Sequence, residues 1–248
     1  MKINDIVCRK KYGKDIFFEI IDIQDDIYYL RGIEYRLVAD SHIDDLELCD
    51  FTQTKDILEI EKKPQIKGSV LHIDGDPQYL KMCMKKYEEL QVRAAGYYIQ
   101  EEEVKNKILE LLQCHKPDLL VITGHDAMKK NSDKKDQQSY LHSKDFVDAI
   151  KEARKYEANK DHLIIIAGAC QSYYELLLAS GANFASSPNR KNIHALDPVY
   201  VASLIASASV TNYVDLEKIV EKTSHKQEGI GGIDTRGVAR KIYPTGGK

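Results

Sequence analysis

Two short apolar runs decide the fold, LLVITGHD at residues 119–126 and LIIIAGACQS at residues 163–172. Each run is almost continuously hydrophobic and ends in small residues, a pattern typical of a strand buried on both faces of a parallel sheet. A chemically reactive side chain follows each run, His125 in the first and Cys170 in the second. Functional groups of parallel sheets gather at the carboxyl ends of the strands. Neighbouring strands would therefore bring an imidazole and a thiol together, which favours a cysteine-dependent hydrolase.

Outward from these runs, strand and helix patterns alternate from Gly68 to Val210. The pattern predicts strands at 69–76, 96–100, 119–126, 163–170 and 182–187, and helices at 77–90, 101–114, 144–159, 171–180 and 197–210. This alternation predicts an α/β fold in which a parallel sheet carries helices on both faces. His72 lies inside the first strand and is expected to be a hydrogen-bonded core residue rather than a ligand.

The first 50 residues have a different pattern. Three segments rich in Ile, Phe, Tyr and Val are separated by turn residues: DIFFEIIDI (15–23), DIYYL (26–30) and EYRLVAD (34–40). Such spacing predicts a small β-barrel, of SH3/Tudor-like type, as an N-terminal domain. The expected division is a barrel at 1–50, a linker at 51–68, and an α/β domain at 69–248 with a flexible or strand-adding glycine-rich C-terminal segment.

Composition excludes several classes of function. The 36 basic and 39 acidic residues nearly cancel, so no overall field favours nucleic acid. No apolar run approaches the roughly 20 residues that span a bilayer, and the start MKINDIVCRKKYGKD lacks a signal-peptide core, so a soluble, cytoplasmic protein is expected. The five cysteines are scattered and form no metal-binding spacing, so we expect free thiols, no metal and no cofactor.

A nucleophilic thiol needs activation, because a cysteine with a pKa of about 8.5 is only a few per cent thiolate at neutral pH. His125 is the candidate base, and the amino end of the predicted helix 171–180 would favour the Cys170 thiolate. The backbone N–H groups of Asp126 and Cys170 are the candidate oxyanion donors. Gly124 and Gly168 are expected to let a substrate backbone approach.

The spacing between His125 and Cys170 is similar to that of a known family of peptidases. Cys170 lies 45 residues after His125 and follows Ala169, and caspases have a histidine about 50 residues before an Ala-Cys nucleophile. The segment 69–210 therefore resembles the caspase-like (clan CD) cysteine peptidases. It departs from their pattern at two positions. Asp126 stands where those peptidases have a glycine after the histidine, and Gly168 stands where they usually have Gln or Glu.

A second resemblance covers nearly the whole chain. RKKYGKDIFFEI, ADSHIDDLE, VLHIDGD, ITGHDA, IAGACQSYYELLLASGANFASSP, IHALDPV and GIGGIDTRG are similar to the YabG family of sporulation-specific proteases. The resemblance implies an endopeptidase that acts in the sporulating cell, in association with the spore coat, and processes spore coat, cortex and related spore proteins. It implies protein substrates, while the charge balance and the lack of a long apolar run predict no membrane partner and make nucleic acid an unexpected one.

Specificity is a further hypothesis. Clan relatives that cleave after arginine place acidic groups at the end of the first strand, so Asp74 and Asp76 are candidates to receive a P1 Arg or Lys. The competing interpretation makes Asp76 the N-cap of the helix that begins at Pro77. The polar loop 127–143 is long enough to be a lid, and its lysine pairs at 129–130 and 134–135 are candidate self-cleavage sites. A solvated connection is the plainer interpretation of that loop.

Two other functions remain open. The G-x-C turn also resembles the nucleophile elbow of glutamine amidotransferases, whose histidine follows the cysteine, and His194 would then be the base. A non-catalytic α/β module that binds a nucleotide or protein is the second alternative. Neither G-x-G-x-x-G nor G-x-x-x-x-G-K-[ST] occurs at a predicted strand-to-helix turn.

Overall fold

The computed structural model describes residues 1–51 and 65–243. The chain divides into two compact units, Met1–Ile57 and Leu58–Lys248. Most of the predicted linker 51–68 lies outside the described residues.

The first unit is a five-stranded antiparallel sheet in the order β4-β3-β2-β1-β5. Its strands are β1 (Ile6–Arg9), β2 (Phe17–Gln24), β3 (Ile27–Gly32), β4 (Val38–His42) and β5 (Leu46–Leu48). Alternate residues of these strands face a small core that includes Val7, Phe18, Ile20 and Leu30, since successive side chains of a strand point to opposite faces. The predicted segments at 15–23 and 26–30 are confirmed as β2 and β3, whereas the segment at 34–40 overlaps β4 only at its last three residues.

The second unit is built on a six-stranded sheet in the order β12-β11-β10-β9-β7-β8. After β6 (Gln65–Ile66), the elements are β7 (Val70–Asp74), α1 (Pro77–Glu89), β8 (Ala94–Tyr98), α2 (Val104–His115), β9 (Leu119–Thr123), α3 (Ser143–Tyr156), β10 (Ile164–Ala167), α4 (Tyr174–Ala179), β11 (Phe184–Ser186), α5 (Asp197–Ser207), α6 (Leu216–Glu221), β12 (Ile230–Gly232) and β13 (Arg240–Lys241). The strands β7 to β11 are parallel, and β12 joins the edge antiparallel to β11.

Helices cover both faces of this sheet. Alternate strand residues such as Val121 and Ile166 pack with α1, α5 and α6 in one core cluster. Their neighbours, such as Ile122 and Ile165, pack with α2, α3 and α4 in a second cluster. Burial on both faces explains why β9 and β10 are continuously apolar, and it confirms the predicted parallel sheet between two helical layers.

Most element boundaries differ from the prediction by a few residues, and two of these differences lie near the candidate site. The second strand spans 94–98 rather than 96–100, with Gly96 at its centre against the side chains of Leu80 and Met84. The helix predicted at 171–180 begins at Tyr174, because Gln171 adopts a left-handed conformation with φ of 58°. In the glycine-rich tail, β12 extends the main sheet, and β13 pairs with β6. In the described part of the chain, no helix has the length and hydropathy needed to cross a bilayer.

Candidate active site

The register of two parallel strands aligns the candidate nucleophile and base. Ala167 of β10 lies opposite Ile122 of β9. His125 is three residues beyond Ile122, and Cys170 is three residues beyond Ala167. The two residues therefore follow adjacent parallel strands at equal distances along the chain from paired residues, at the carboxyl edge of the sheet.

Hydrogen bonds join the two turns in which these residues lie. The backbone N–H of Met128 donates to the Gln171 side-chain oxygen at 3.2 Å. The Ser172 hydroxyl donates to the Asp126 carboxylate at 2.9 Å. The turn after β9 and the turn after β10 are consequently held together as one structure.

His125 lies between two carboxylates. Its Nδ1 is 3.4 Å from Glu101 Oε1, and its Nε2 is 3.6 Å from Asp76 Oδ2. The His125 backbone N–H also donates to Glu101 Oε1 at 2.6 Å. Burial acts to raise the pKa of Glu101, but the hydrogen bonds from His125 outweigh it and hold that pKa below its usual value. Glu101 therefore presents an ionised carboxylate to the ring, which is about one third exposed.

The sequence reasoning missed Glu101, which lies at the start of the predicted helix 101–114. Two glycines make room for its carboxylate. A Cβ on Gly75 would lie 2.2 Å from Glu101 Oε1, and a Cβ on Gly124 would lie 2.3 Å from the same atom. The available sequence signal for a buried acid was the glycine after each of two strands, Gly75 after β7 and Gly124 after β9. At Gly124 the structural demand is thus the close approach of Glu101 rather than of a substrate.

Asp76 is the N-cap of α1. Its Oδ1 accepts from the backbone N–H groups of Gln78 at 2.8 Å and Tyr79 at 3.2 Å, which leaves Oδ2 facing His125. The competing interpretation of Asp76 as a helix cap is therefore confirmed. One side chain both caps the helix and borders the candidate base.

Asp74 belongs to a fully buried polar network. Its Oδ2 accepts from the Thr123 hydroxyl at 2.9 Å, and its Oδ1 accepts from the Asp76 backbone N–H at 2.9 Å. His72 Nε2 lies 2.9 Å from the same Thr123 hydroxyl, and His72 Nδ1 lies 3.1 Å from the Tyr87 hydroxyl. His72 is thus the hydrogen-bonded core histidine that was predicted, and Asp74 helps to fix the turn that carries Asp76.

Cys170 is 3% exposed and lies against the segment that contains His194. The Ile193 backbone N–H donates to the Cys170 sulfur at 3.4 Å. The prediction that a helix dipole stabilises the Cys170 thiolate is wrong. The helix α4 begins four residues later, at Tyr174, and the effect of a helix dipole fades within one turn. His194 Nδ1 accepts from the Leu196 backbone N–H at 3.1 Å.

Asp126, which occupies the position of the expected glycine, fastens three segments together. Its Oδ2 accepts from the hydroxyls of Ser143 at 2.5 Å and Ser172 at 2.9 Å. Its Oδ1 accepts from the backbone N–H groups of His142 at 2.8 Å and Ala127 at 2.9 Å. Burial raises the pKa of Asp126 despite these bonds. Within residues 1–51 and 65–243, the backbone N–H of Asp126 donates no backbone hydrogen bond.

Two groups in the described ranges have donor atoms close enough to hold a metal. His72, Asp74 and Cys83 form a buried group, and Glu101, Glu102 and His142 form a group beside the candidate site. The first is part of the hydrogen-bonded network under β7, and in the second Glu101 already contacts His125. The chemistry proposed below uses neither group as a metal ligand set.

The polar loop that follows His125 is anchored by aromatic residues. Tyr140 stacks on Tyr173 with ring centroids 5.0 Å apart. Arg190 lies over both rings, donates to the Tyr140 hydroxyl at 2.9 Å and pairs with Glu175 at 2.6 Å. Lys134 lies in an exposed part of this loop. The loop is thus fixed at its carboxyl-terminal end and exposed nearer its middle.

These features define an α/β protein with a thiol and an imidazole at the carboxyl edge of its parallel strands. The family model for the YabG peptidase U57 matches residues 2–65 and 52–244. The chain is also 38% identical, over 283 aligned positions, to the sporulation-specific protease YabG of Bacillus subtilis (strain 168), with 98% of each chain covered. The chain therefore belongs to the YabG peptidase U57 family, a family of sporulation peptidases, as the sequence resemblance predicted.

Proposed function

We propose that this peptidase is a cysteine endopeptidase of caspase-like arrangement, with Cys170 as nucleophile and His125 as base. The observation that supports the proposal is the register of β9 and β10, in which His125 and Cys170 each follow a paired strand residue by three positions at one carboxyl edge. Membership of a peptidase family supports hydrolysis of peptide bonds. For the first unit we propose an SH3/Tudor-like barrel, which its short antiparallel strands support.

In the proposed reaction, His125 accepts the Cys170 thiol proton as the sulfur attacks the substrate carbonyl carbon. The resulting oxyanion accepts hydrogen bonds from the backbone N–H groups of Asp126 and Cys170. His125 then donates the proton to the leaving amine, and water hydrolyses the acyl-enzyme. Glu101 orients the ring through Nδ1, the orienting role of the acid in a nucleophile–base–acid triad.

The proposed substrates are spore coat, cortex and related spore proteins, and the proposed setting is the sporulating cell and its spore coat. The printed name of the Bacillus subtilis relative, a sporulation-specific protease, supports this setting. We further propose cleavage after Arg or Lys. Self-cleavage beside the exposed Lys134 and Lys135 of the loop after His125 is consistent with that preference.

The test is to incubate wild type, Cys170→Ala and Cys114→Ala with a spore-protein extract and to sequence the new amino termini. We expect new termini after Arg or Lys with wild type and Cys114→Ala, and none with Cys170→Ala. The same samples report self-cleavage in the loop 127–143. Equal cleavage by Cys170→Ala would overturn the cysteine mechanism.

Glu101→Gln is expected to lower kcat/KM by about 100-fold, a general acid–base effect of ordinary size. The glutamine oxygen can still accept from the His125 backbone N–H, but the charge beside the ring is lost. Because the pKa of Glu101 lies below its usual value near 4.3, the wild-type carboxylate stays charged above about pH 5, so the loss should persist across neutral pH. Glu102→Gln, at the exposed neighbouring position, is the matched control. A pH profile of kcat/KM for both variants checks the prediction, and equal activities would contradict it.

Asp76→Asn is expected to weaken cleavage after Arg relative to cleavage after a neutral residue. Asp74 and Asp76 were both candidates, but both oxygens of Asp74 are engaged in the buried network, so we assign the proposed P1 contact to Asp76. Asparagine keeps an oxygen for the helix cap and removes the charge. The measurement is kcat/KM on paired P1-Arg and P1-neutral peptides, with Asp74→Asn as the comparison; an unchanged ratio in Asp76→Asn would rule out the contact.

One observation supports the amidotransferase alternative. The Ile193 backbone N–H donates to the Cys170 sulfur, and His194 is the residue after Ile193. In that mechanism His194, and not His125, would be essential. Separate substitution of the two histidines distinguishes the functions.

A further inference from the structure

The first unit holds two cysteines on neighbouring strands. In the antiparallel ladder of β1 and β5, Cys8 lies opposite Glu47. The ladder continues one step beyond β5, where the Cys49 backbone N–H donates to the Ile6 carbonyl at 3.0 Å. Cys49 is two residues after Glu47, so its side chain lies on the same face as that of Cys8 and diagonally across from it.

The two thiols differ in their access to solvent. Cys8 is 1% exposed, and burial first, then the neighbouring Cys49 thiol, raises the pKa of Cys8 to about 12. Cys49 is partly exposed, and its sulfur lies 3.6 Å from the Glu47 carbonyl oxygen. A solution reagent can therefore reach the pair through Cys49, and Cys8 is the buried diagonal neighbour.

We propose that Cys8 and Cys49 form a redox-active pair that closes to a disulfide by exchange with a small-molecule disulfide. The Cys49 thiolate attacks one sulfur of the reagent and releases one thiol, which leaves a mixed disulfide on Cys49. Cys8 then attacks the Cys49 sulfur, and its proton passes to the departing thiolate, which leaves as the second thiol. The two protein thiols are oxidised, and the reagent is reduced to two thiols.

Closure would connect the first strand of the unit to its last strand. The bond would restrict the unfolded chain between residues 8 and 49, so the oxidised unit should unfold at a higher temperature than the reduced unit. The inference does not depend on the proposed peptidase chemistry, because neither cysteine lies in the unit that carries Cys170.

The test uses the full-length chain, oxidised glutathione as reagent, alkylation of the remaining thiols under denaturing conditions, and mass spectrometry of the digest. We expect one linked peptide joining Cys8 to Cys49 with two hydrogen masses lost, whether or not glutathione also adds to the exposed Cys114 or to Cys170. The Cys114→Ser control should form the same linked peptide, and Cys49→Ser should form none. Retention of the Cys8 and Cys49 thiols, glutathione left on Cys49 without closure, or a link from either of them to another cysteine would overturn the proposal.

Discussion

Replacement of His125 by alanine is expected to lower kcat/KM by about 10⁴-fold, whereas His194→Ala should remain within a few fold of wild type. The His125 ring lies between the carboxylates of Glu101 and Asp76, which can orient it for proton transfer. His194 instead accepts a backbone hydrogen bond within its own turn through Nδ1. The measurement is steady-state cleavage of an arginyl peptide, with circular dichroism to show that both variants are folded.

The reverse pattern would favour the amidotransferase-like alternative, because that mechanism requires the histidine after the nucleophile. Equal, small losses in both variants would remove the general base from the proposal altogether. Each outcome therefore selects one mechanism.

The largest effect on stability is expected at Asp126. Asp126→Ala should lower the free energy of unfolding by about 3 kcal/mol, since it leaves the buried hydroxyls of Ser143 and Ser172 and the backbone N–H of His142 without their acceptor. Asp126→Asn is the matched control, because it keeps an acceptor oxygen and offers an amide to the two hydroxyls. Urea unfolding of the three proteins measures the difference, and a loss in Asp126→Ala no larger than in Asp126→Asn would contradict this role.

The pH dependence of the same comparison gives a second check. Burial raises the pKa of Asp126 in the folded state above its value near 3.9 in the unfolded chain. Its contribution to stability is therefore complete below the unfolded pKa and is lost as pH rises through the folded pKa. The stability advantage of wild type over Asp126→Asn should shrink from about pH 4 toward neutral pH. An advantage that grows over this range would contradict the buried, raised-pKa carboxylate.

The strands at the centre of the sheet were predictable because burial on both faces leaves a direct mark on sequence. The runs at 119–126 and 163–172 carry that mark, and their spacing also predicted that His125 and Cys170 share an edge. The edge strand β8 was misplaced by two residues because Ala94 and Ala95 are too small to give a strong strand signal. The helix after Cys170 was started too early, since a left-handed Gln171 leaves no pattern in the apolar residues.

Residues that act through tertiary contacts were the hardest to predict. Glu101 follows β8 and reaches His125, which follows β9, across the end of the intervening strand β7. Gly75 after β7 and Gly124 after β9 leave room for its carboxylate. Asp126 was seen as a departure from a family pattern, whereas in the structure it joins two strand ends to the start of α3. A one-dimensional pattern contains no record of which distant donors a carboxylate will meet.

The central claim is that Cys170 is an activated nucleophile, and labelling by an arginyl chloromethylketone tests it most directly. Cys170 is 3% exposed and Cys114 is exposed, so accessibility alone predicts faster reaction at Cys114. Activation and substrate-like binding predict the opposite order, with Cys170 reacting about 100-fold faster and losing that advantage in His125→Ala. Mass spectrometry of the modified peptides gives both rates. Reaction at Cys170 no faster than at Cys114 would contradict the proposed active site.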